Sequence, residues 1–171
     1  FGAELNADYG SFDTRNIFGA VDLPLNEDGT LALRVSSYYN HSDGFVSNTF
    51  LGGSNPDETD EYGLRVALDW DPTEDLSIKL SYRHNNLENG GNVYTASATS
   101  DQHVRMVDYN NDVLNDRTVN GGIAQIDYDA GPVVLTAVSS YTHRKNKLLW
   151  DLDYSSADAV LALNGDRNTT K

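Results

Sequence analysis

The sequence predicts an all-β protein, an antiparallel up-and-down meander of about seven strands that forms part of a transmembrane β-barrel. Three observations predict it. Apolar and polar residues alternate with a period of two in segment after segment, which places them on opposite faces of a strand. Connections alternate between short turns and longer loops, as in outer-membrane barrels. No segment carries an apolar i, i+3, i+4 stripe sustained over about a dozen residues, so no helix is expected.

In chain order, Ala3, Leu5, Ala7 and Tyr9 alternate with Glu4, Asn6 and Asp8, a first strand whose second face is strongly polar. A short polar turn at 11–14 leads to a second strand, in which Ile17, Gly19, Val21, Leu23 and Leu25 share one parity. Asn26 and Gly29 mark a tight turn. Residues 31–39 then give the clearest alternation, with Leu31, Leu33, Val35, Ser37 and Tyr39 on one face and Ala32, Arg34, Ser36 and Tyr38 on the other. Their length is close to the ~9–11 residues of a tilted membrane-crossing strand. The segment 40–62 reads as a loop rich in Asn, Ser, Gly and acids. Leu64, Val66, Leu68 and Trp70 follow, then the turn 72–75, then Leu76, Ile78, Leu80 and Tyr82, the cleanest hairpin of the chain. A second long polar segment, 86–118, precedes a weaker strand through Ala124, Ile126 and Tyr128 and the turn 129–132. The last expected strand holds Leu135, Ala137, Ser139 and Tyr141, with ambiguous parity; residues 144–171 read as loop.

In a barrel, Leu33, Val66, Leu68, Ile78 and Leu80 would face lipid, while Arg34, Arg65, Lys79 and Arg83 would face the lumen. Tyr9, Tyr39, Trp70, Tyr82, Tyr128 and Tyr141 at strand ends suit the aromatic girdles of such a wall. A soluble β-sandwich would produce the same alternation, because it buries one face and solvates the other. The turns 26–30, 72–75 and 129–132 are expected on the periplasmic side and the segments 40–62, 86–118 and 144–171 outside.

The 171 residues are enough for one domain. Hydrophobic residues make up 39% and the mean hydropathy is -0.51, and no apolar run reaches the length of a transmembrane helix. No signal-peptide pattern opens the chain, which starts at Phe1 without a methionine; it is expected to be a fragment, or a mature chain trimmed at both ends. Twelve Lys+Arg against 26 Asp+Glu leave a net charge of -14, which argues against nucleic acid as a partner. With no cysteine there is no disulfide framework, thiol nucleophile or thiolate metal site.

Four motifs in order carry a resemblance. They are Gly10-Ser-Phe with Gly19-Ala-Val-Asp-Leu-Pro-Leu, Leu33-Arg-Val-Ser-Ser-Tyr-Tyr with Asp43-Gly-Phe-Val-Ser-Asn48, Gly63-Leu-Arg-Val-Ala-Leu-Asp-Trp-Asp-Pro72, and Asp127-Tyr-Asp-Ala-Gly-Pro-Val-Val-Leu-Thr-Ala-Val-Ser-Ser-Tyr141. Together they resemble the early barrel strands of TonB-dependent outer-membrane receptors, over nearly the whole chain. The family's plug domain, TonB box and aromatic-ended C-terminal strand have no counterpart in these residues. The resemblance therefore implies a partial receptor barrel spanning 1–171, set in outer-membrane lipid. It would act with its own plug and the TonB complex to take up a scarce small molecule such as an iron–siderophore complex. A small complete outer-membrane barrel of structural or adhesive role and a soluble ligand-binding β-sandwich remain alternatives.

No catalytic constellation is present: no G-x-S-x-G, H-E-x-x-H or phosphate-cradling loop, so neither an enzyme nor a cofactor is expected. His41, His84, His103 and His143 stand singly in expected loops or at strand ends and read as solvated. Asp108-x-Asn110-x-Asp112 and Asp151-x-Asp153-x-Ser155 begin like calcium loops, but both lack the glycine and the closing acid, and read as solvated acidic loops. The acids at 57–61 read as a solubilising loop cluster. The resemblance implies that lumen-facing arginines pair with plug acids or with an anionic substrate. Tyr94, Arg105, Tyr109 and Trp150 are the loop residues a ligand would meet, with simple exposure as the alternative.

Overall fold

The computed structural model describes residues 1–53, 55–91, 93, 105–158 and 163–170. They form strands and turns and no helix; no helix is long and apolar enough to cross a membrane, which says nothing of a barrel that crosses with strands. One antiparallel sheet holds eight strands in the order β1 (Gly2–Tyr9), β2 (Arg15–Pro24), β3 (Leu31–Ser42), β5 (Thr59–Thr73), β6 (Leu76–Asn89), β8 (Leu114–Asp129), β9 (Val134–Trp150) and β10 (Leu163–Thr170). Every neighbour in the sheet is the next long strand in the chain, so the topology is a simple meander. The sheet is open, with β1 and β10 at its edges. Two short strands, β4 (Ser47–Asn48) and β7 (Met106–Val107), pair parallel to each other.

Two expectations need correction. The sheet has eight strands rather than about seven, and the strands run far into segments read as loop: β5 starts at Thr59, β6 ends at Asn89, β8 starts at Leu114 and β9 ends at Trp150. The added lengths are mostly polar, and their few apolar residues do not alternate, so they carry no period-two hydrophobic signal. Their cross-strand partners hold them instead. Asp60 faces Glu88, Tyr62 faces Asn86 and Asn86 faces Thr118 in the register. Asn89 Nδ2 donates to Thr59 Oγ1 at 2.6 Å and Thr118 Oγ1 donates to Asn86 Oδ1 at 2.8 Å.

The register arranges one face in rows. Leu31, Trp70, Ile78, Ile126 and Ala137 form one row; Leu23, Leu33, Leu68, Leu80 and Ala124 the next; Val21, Val35, Val66, Tyr82 and Tyr141 lie along a third. Leu5 and Leu64 follow, then Ile17, Tyr39 and Tyr62. The parity of β9 is settled by Leu135 facing Tyr128 and Ala137 facing Ile126. Trp70 and Tyr62 bound this band on β5, and the eight residue steps from one to the other span ~26 Å along the strand. The opposite face carries Arg34, Ser36, Arg65, Ser81 and Arg83.

The apolar face is uncovered: Leu5 is 76% exposed, Leu80 43%, Ile126 44% and Tyr141 55%. The buried apolar residues of the described chain are Ala20, Val46, Val107 and Tyr109. A sandwich would require a second sheet over this face, and β4 with β7 contributes four residues.

The three short turns share one end of the sheet. Gly29 and Gly131 sit in them at φ 70° and 88°, a conformation glycine adopts without steric cost. Asn26 fixes the first of these turns, accepting from the Leu31 amide at 3.0 Å and donating to Thr30 Oγ1 at 2.7 Å. The longer connections meet at the other end, where they fold together into a cap. Val46, Val107 and Tyr109 form its core, with Val93, Val113 and Tyr154 packed against them.

Candidate ligand-binding site

The polar face shows a hollow of about 600 Å³ over β3, β5, β6, β8 and β9, lined among others by Arg65, Arg83, Arg117 and Arg144. Two glycines shape it. A Cβ at Gly63 would run into the Tyr38 ring, so the ring lies flat across β5. From there Tyr38 Oη donates to Glu61 Oε1 at 3.1 Å and accepts from Asn85 Nδ2 at 2.6 Å. A Cβ at Gly121 would lie 3.1 Å from Arg83 Nε and 3.5 Å from Thr142 Oγ1, so Arg83 extends over β8 toward β9.

Electrostatically the hollow is cationic in an acidic chain. Arg65 and Arg83 are direct cross-strand partners, a like-charge juxtaposition that costs stability unless something neutralises it. Its lining carboxylate, Glu61, is engaged by neutral donors: Asn85 at 2.8 Å on Oε1, besides Tyr38, and Asn40 at 3.5 Å on Oε2. Arg144 Nε donates to Asn146 Oδ1 at 2.8 Å. Arg117 Nε is the buried side-chain polar atom without a hydrogen bond among the described residues. No ion pair among the described residues involves any of these four arginines, whereas Arg34 is held by both oxygens of Asp22 at 2.9 and 2.7 Å, with Glu4 at 3.6 Å.

Of the basic residues singled out in the sequence, Arg34, Arg65, Lys79 and Arg83 share the polar face, opposite Leu33, Val66, Leu68, Ile78 and Leu80. Arg65 and Arg83 enter the hollow; Arg34 is ion-paired near β1 and β2, and Lys79 sits toward the short-turn end, across from Asp69. Arg117 and Arg144 were not anticipated, because both fell in segments read as loop. Their signal was parity: Arg117 continues Val119, Gly121 and Ile123, and Arg144 continues Thr142 and Ser140.

The loop candidates separate. Tyr109 is 1% exposed and packs the cap, its carbonyl accepting from Asn48 Nδ2 at 3.0 Å. Trp150 ends β9 and is 39% exposed. Arg105 is exposed beside β7, and its carbonyl accepts from the Ser47 amide. Tyr94 and His103 lie outside the described residues.

The acids of the long connections are not simply solvated, as had been expected. Asp151 is 1% exposed; Oδ2 accepts from the Asn110 and Asn111 amides at 3.1 and 3.3 Å, and Oδ1 from the Tyr154 amide at 3.1 Å. Asp57 accepts from the Phe45 and Val46 amides at 2.8 and 3.0 Å. These carboxylates serve as acceptors for loop amides that no strand satisfies.

The histidine reading is corrected as well: His41, His84 and His143 lie on β3, β6 and β9. His41 is wedged between Asp60 at 3.0 Å on Nδ1 and Asp43 at 3.2 Å on Nε2. His84 Nδ1 meets Asn120 Oδ1 at 2.8 Å and packs on Tyr62, and His143 Nδ1 meets Thr170 Oγ1 at 2.8 Å. Ligand atoms of Asp13, His41 and Asp43 lie within 4.8 Å of one another, a spacing that could hold a cation. Arg15 already engages Asp13, and its hydrogen bond holds that carboxyl below the ordinary carboxylate value.

No protein-family model matches the chain, and no curated protein matches it.

Proposed function

We propose that this chain is a stretch of the barrel wall of a TonB-dependent outer-membrane receptor, one that takes up a scarce ligand such as an iron–siderophore complex. The observation that carries the reading is the continuous apolar face, bounded on β5 by Trp70 and Tyr62 and left uncovered, on a meander whose other face is polar and charged. Lipid would cover the first face and the lumen would wet the second. The four resembling motifs supply the family. Gating and energy coupling would come from the plug and the TonB complex. The polar face would supply a wall, and the cap formed by the long connections would face outward.

A second reading, a small complete outer-membrane barrel, is favoured by one observation: eight strands is the number that closes the smallest such barrels. The unpaired edges of β1 and β10 weigh against it.

Sidedness tests the proposal in whole cells. Single cysteines are introduced at Glu58 in a long connection and at Asp28 in a short turn of the intact protein, with any cysteine outside these 171 residues replaced by serine. A membrane-impermeant maleimide should label the first and not the second until the envelope is opened. Equal labelling at both, or recovery of the protein in the soluble fraction, would remove the outer-membrane reading.

A further inference from the structure

We infer that the hollow lined by Arg65, Arg83, Arg117 and Arg144 is a binding site for a small polyanion carrying at least two carboxylate or phosphate groups. The chain has 26 acidic residues against 12 basic ones, so carboxylates are plentiful. Arg15 and Arg34 take them. Among the described residues no carboxylate pairs with the four guanidiniums of the hollow, and two of them face each other directly across β5 and β6. A fold that leaves like charges opposed bears a cost that an anion between them would offset.

The side chains come from four successive strands, so the charges are spread over roughly 14 Å of sheet at ~4.8 Å per strand. A single small anion cannot meet them all, whereas a ligand with two or three oxyanion groups can. The volume of about 600 Å³ falls within the ~300–1,000 Å³ of small-molecule sites. The planar fork of each guanidinium suits paired oxygens of a carboxylate or phosphate. Arg117 brings a buried Nε–H that no group among the described residues satisfies. Glu61 is tied down by Tyr38 and Asn85 and so is kept from closing onto the arginines. Gly121 leaves the space over which Arg83 reaches.

The inference rests on the barrel-wall reading only for the direction the site faces, which is the lumen; the charges and the register stand without it. The probes are citrate and inorganic pyrophosphate, titrated calorimetrically against the intact protein in non-ionic detergent at low and at moderate salt. Saturable binding is expected, weakening as salt screens the guanidiniums. Preference for citrate or for pyrophosphate identifies the carboxylate or the phosphate class. Arg83→Gln and Arg117→Gln should each weaken binding about tenfold or more, and Arg15→Gln, away from the hollow, should leave it unchanged. Arg65→Gln removes one of the opposed charges, so it should bind more weakly yet unfold at no lower temperature without anion, which separates loss of the site from loss of the fold. Absence of saturable binding by both probes would overturn the inference and assign the guanidiniums to carboxylates elsewhere in the protein. So would binding that the Arg65, Arg83 and Arg117 variants all leave intact. A failed titration would not alter the labelling pattern expected for the barrel wall.

Discussion

Gly63 and Tyr38 face each other across β5 and β3 on the polar face. The ring fits because β5 has no Cβ beneath it, and the fit places Tyr38 Oη between Asn85 and Glu61. Gly63→Ala would push the ring off the strand and break both hydrogen bonds, at a cost of about 1–3 kcal/mol. In a Tyr38→Ala background the same change should cost little, because nothing remains for the methyl to displace. Unfolding of the two single variants and the double variant gives the coupling; additive losses would show that ring and glycine are independent. Neither partner was legible from the sequence. Gly63 read as the start of a strand and Tyr38 as one of a polar parity, and their meeting depends on the register between β3 and β5.

At the scale of the elements, the sequence disclosed strands where one face had to be apolar. Residues 31–39, 64–70 and 76–82 alternate cleanly, and the register places their apolar residues in common rows. It did not disclose strands beyond the apolar band. Asp60, Asn86, Asn115 and Lys145 belong to stretches of strand that are mostly polar, and loop composition is indistinguishable from strand composition there. The cap was illegible for a related reason: its small core, Val46, Val107 and Tyr109, comes from positions far apart in the chain. Its acids had looked solvated, yet Asp151 gathers three amides of two connections. Asp151→Ala would leave those amides without their acceptor, a penalty of about 1–3 kcal/mol confined to the cap. Hydrogen exchange at Asn110, Asn111 and Tyr154 should accelerate while the β5–β6 ladder stays protected. Uniform acceleration across both would mean that the cap and the sheet open as one unit.

For the whole molecule, the decisive feature is an eight-stranded sheet with one apolar face and almost no core of its own. In water that face would drive association or aggregation; against hydrocarbon it is the favourable surface, and the open edges at β1 and β10 would pair with further wall. In the proposed barrel wall the charged parity, Arg34, Arg65, Lys79 and Arg83, would lie on the wet side. The transport reading needs the arginine hollow to open to a lumen, and the same assignment sets the direction in which the anion site faces. Spin labels at Leu68 and Leu80 on one face and at Ser36 and Ser81 on the other, in the intact protein reconstituted into bilayers, test it most directly. The barrel-wall account predicts that the labels at Leu68 and Leu80 are relaxed by a lipid-soluble agent and shielded from a water-soluble one, with the reverse at Ser36 and Ser81. Equal response of the two faces to both agents would contradict it.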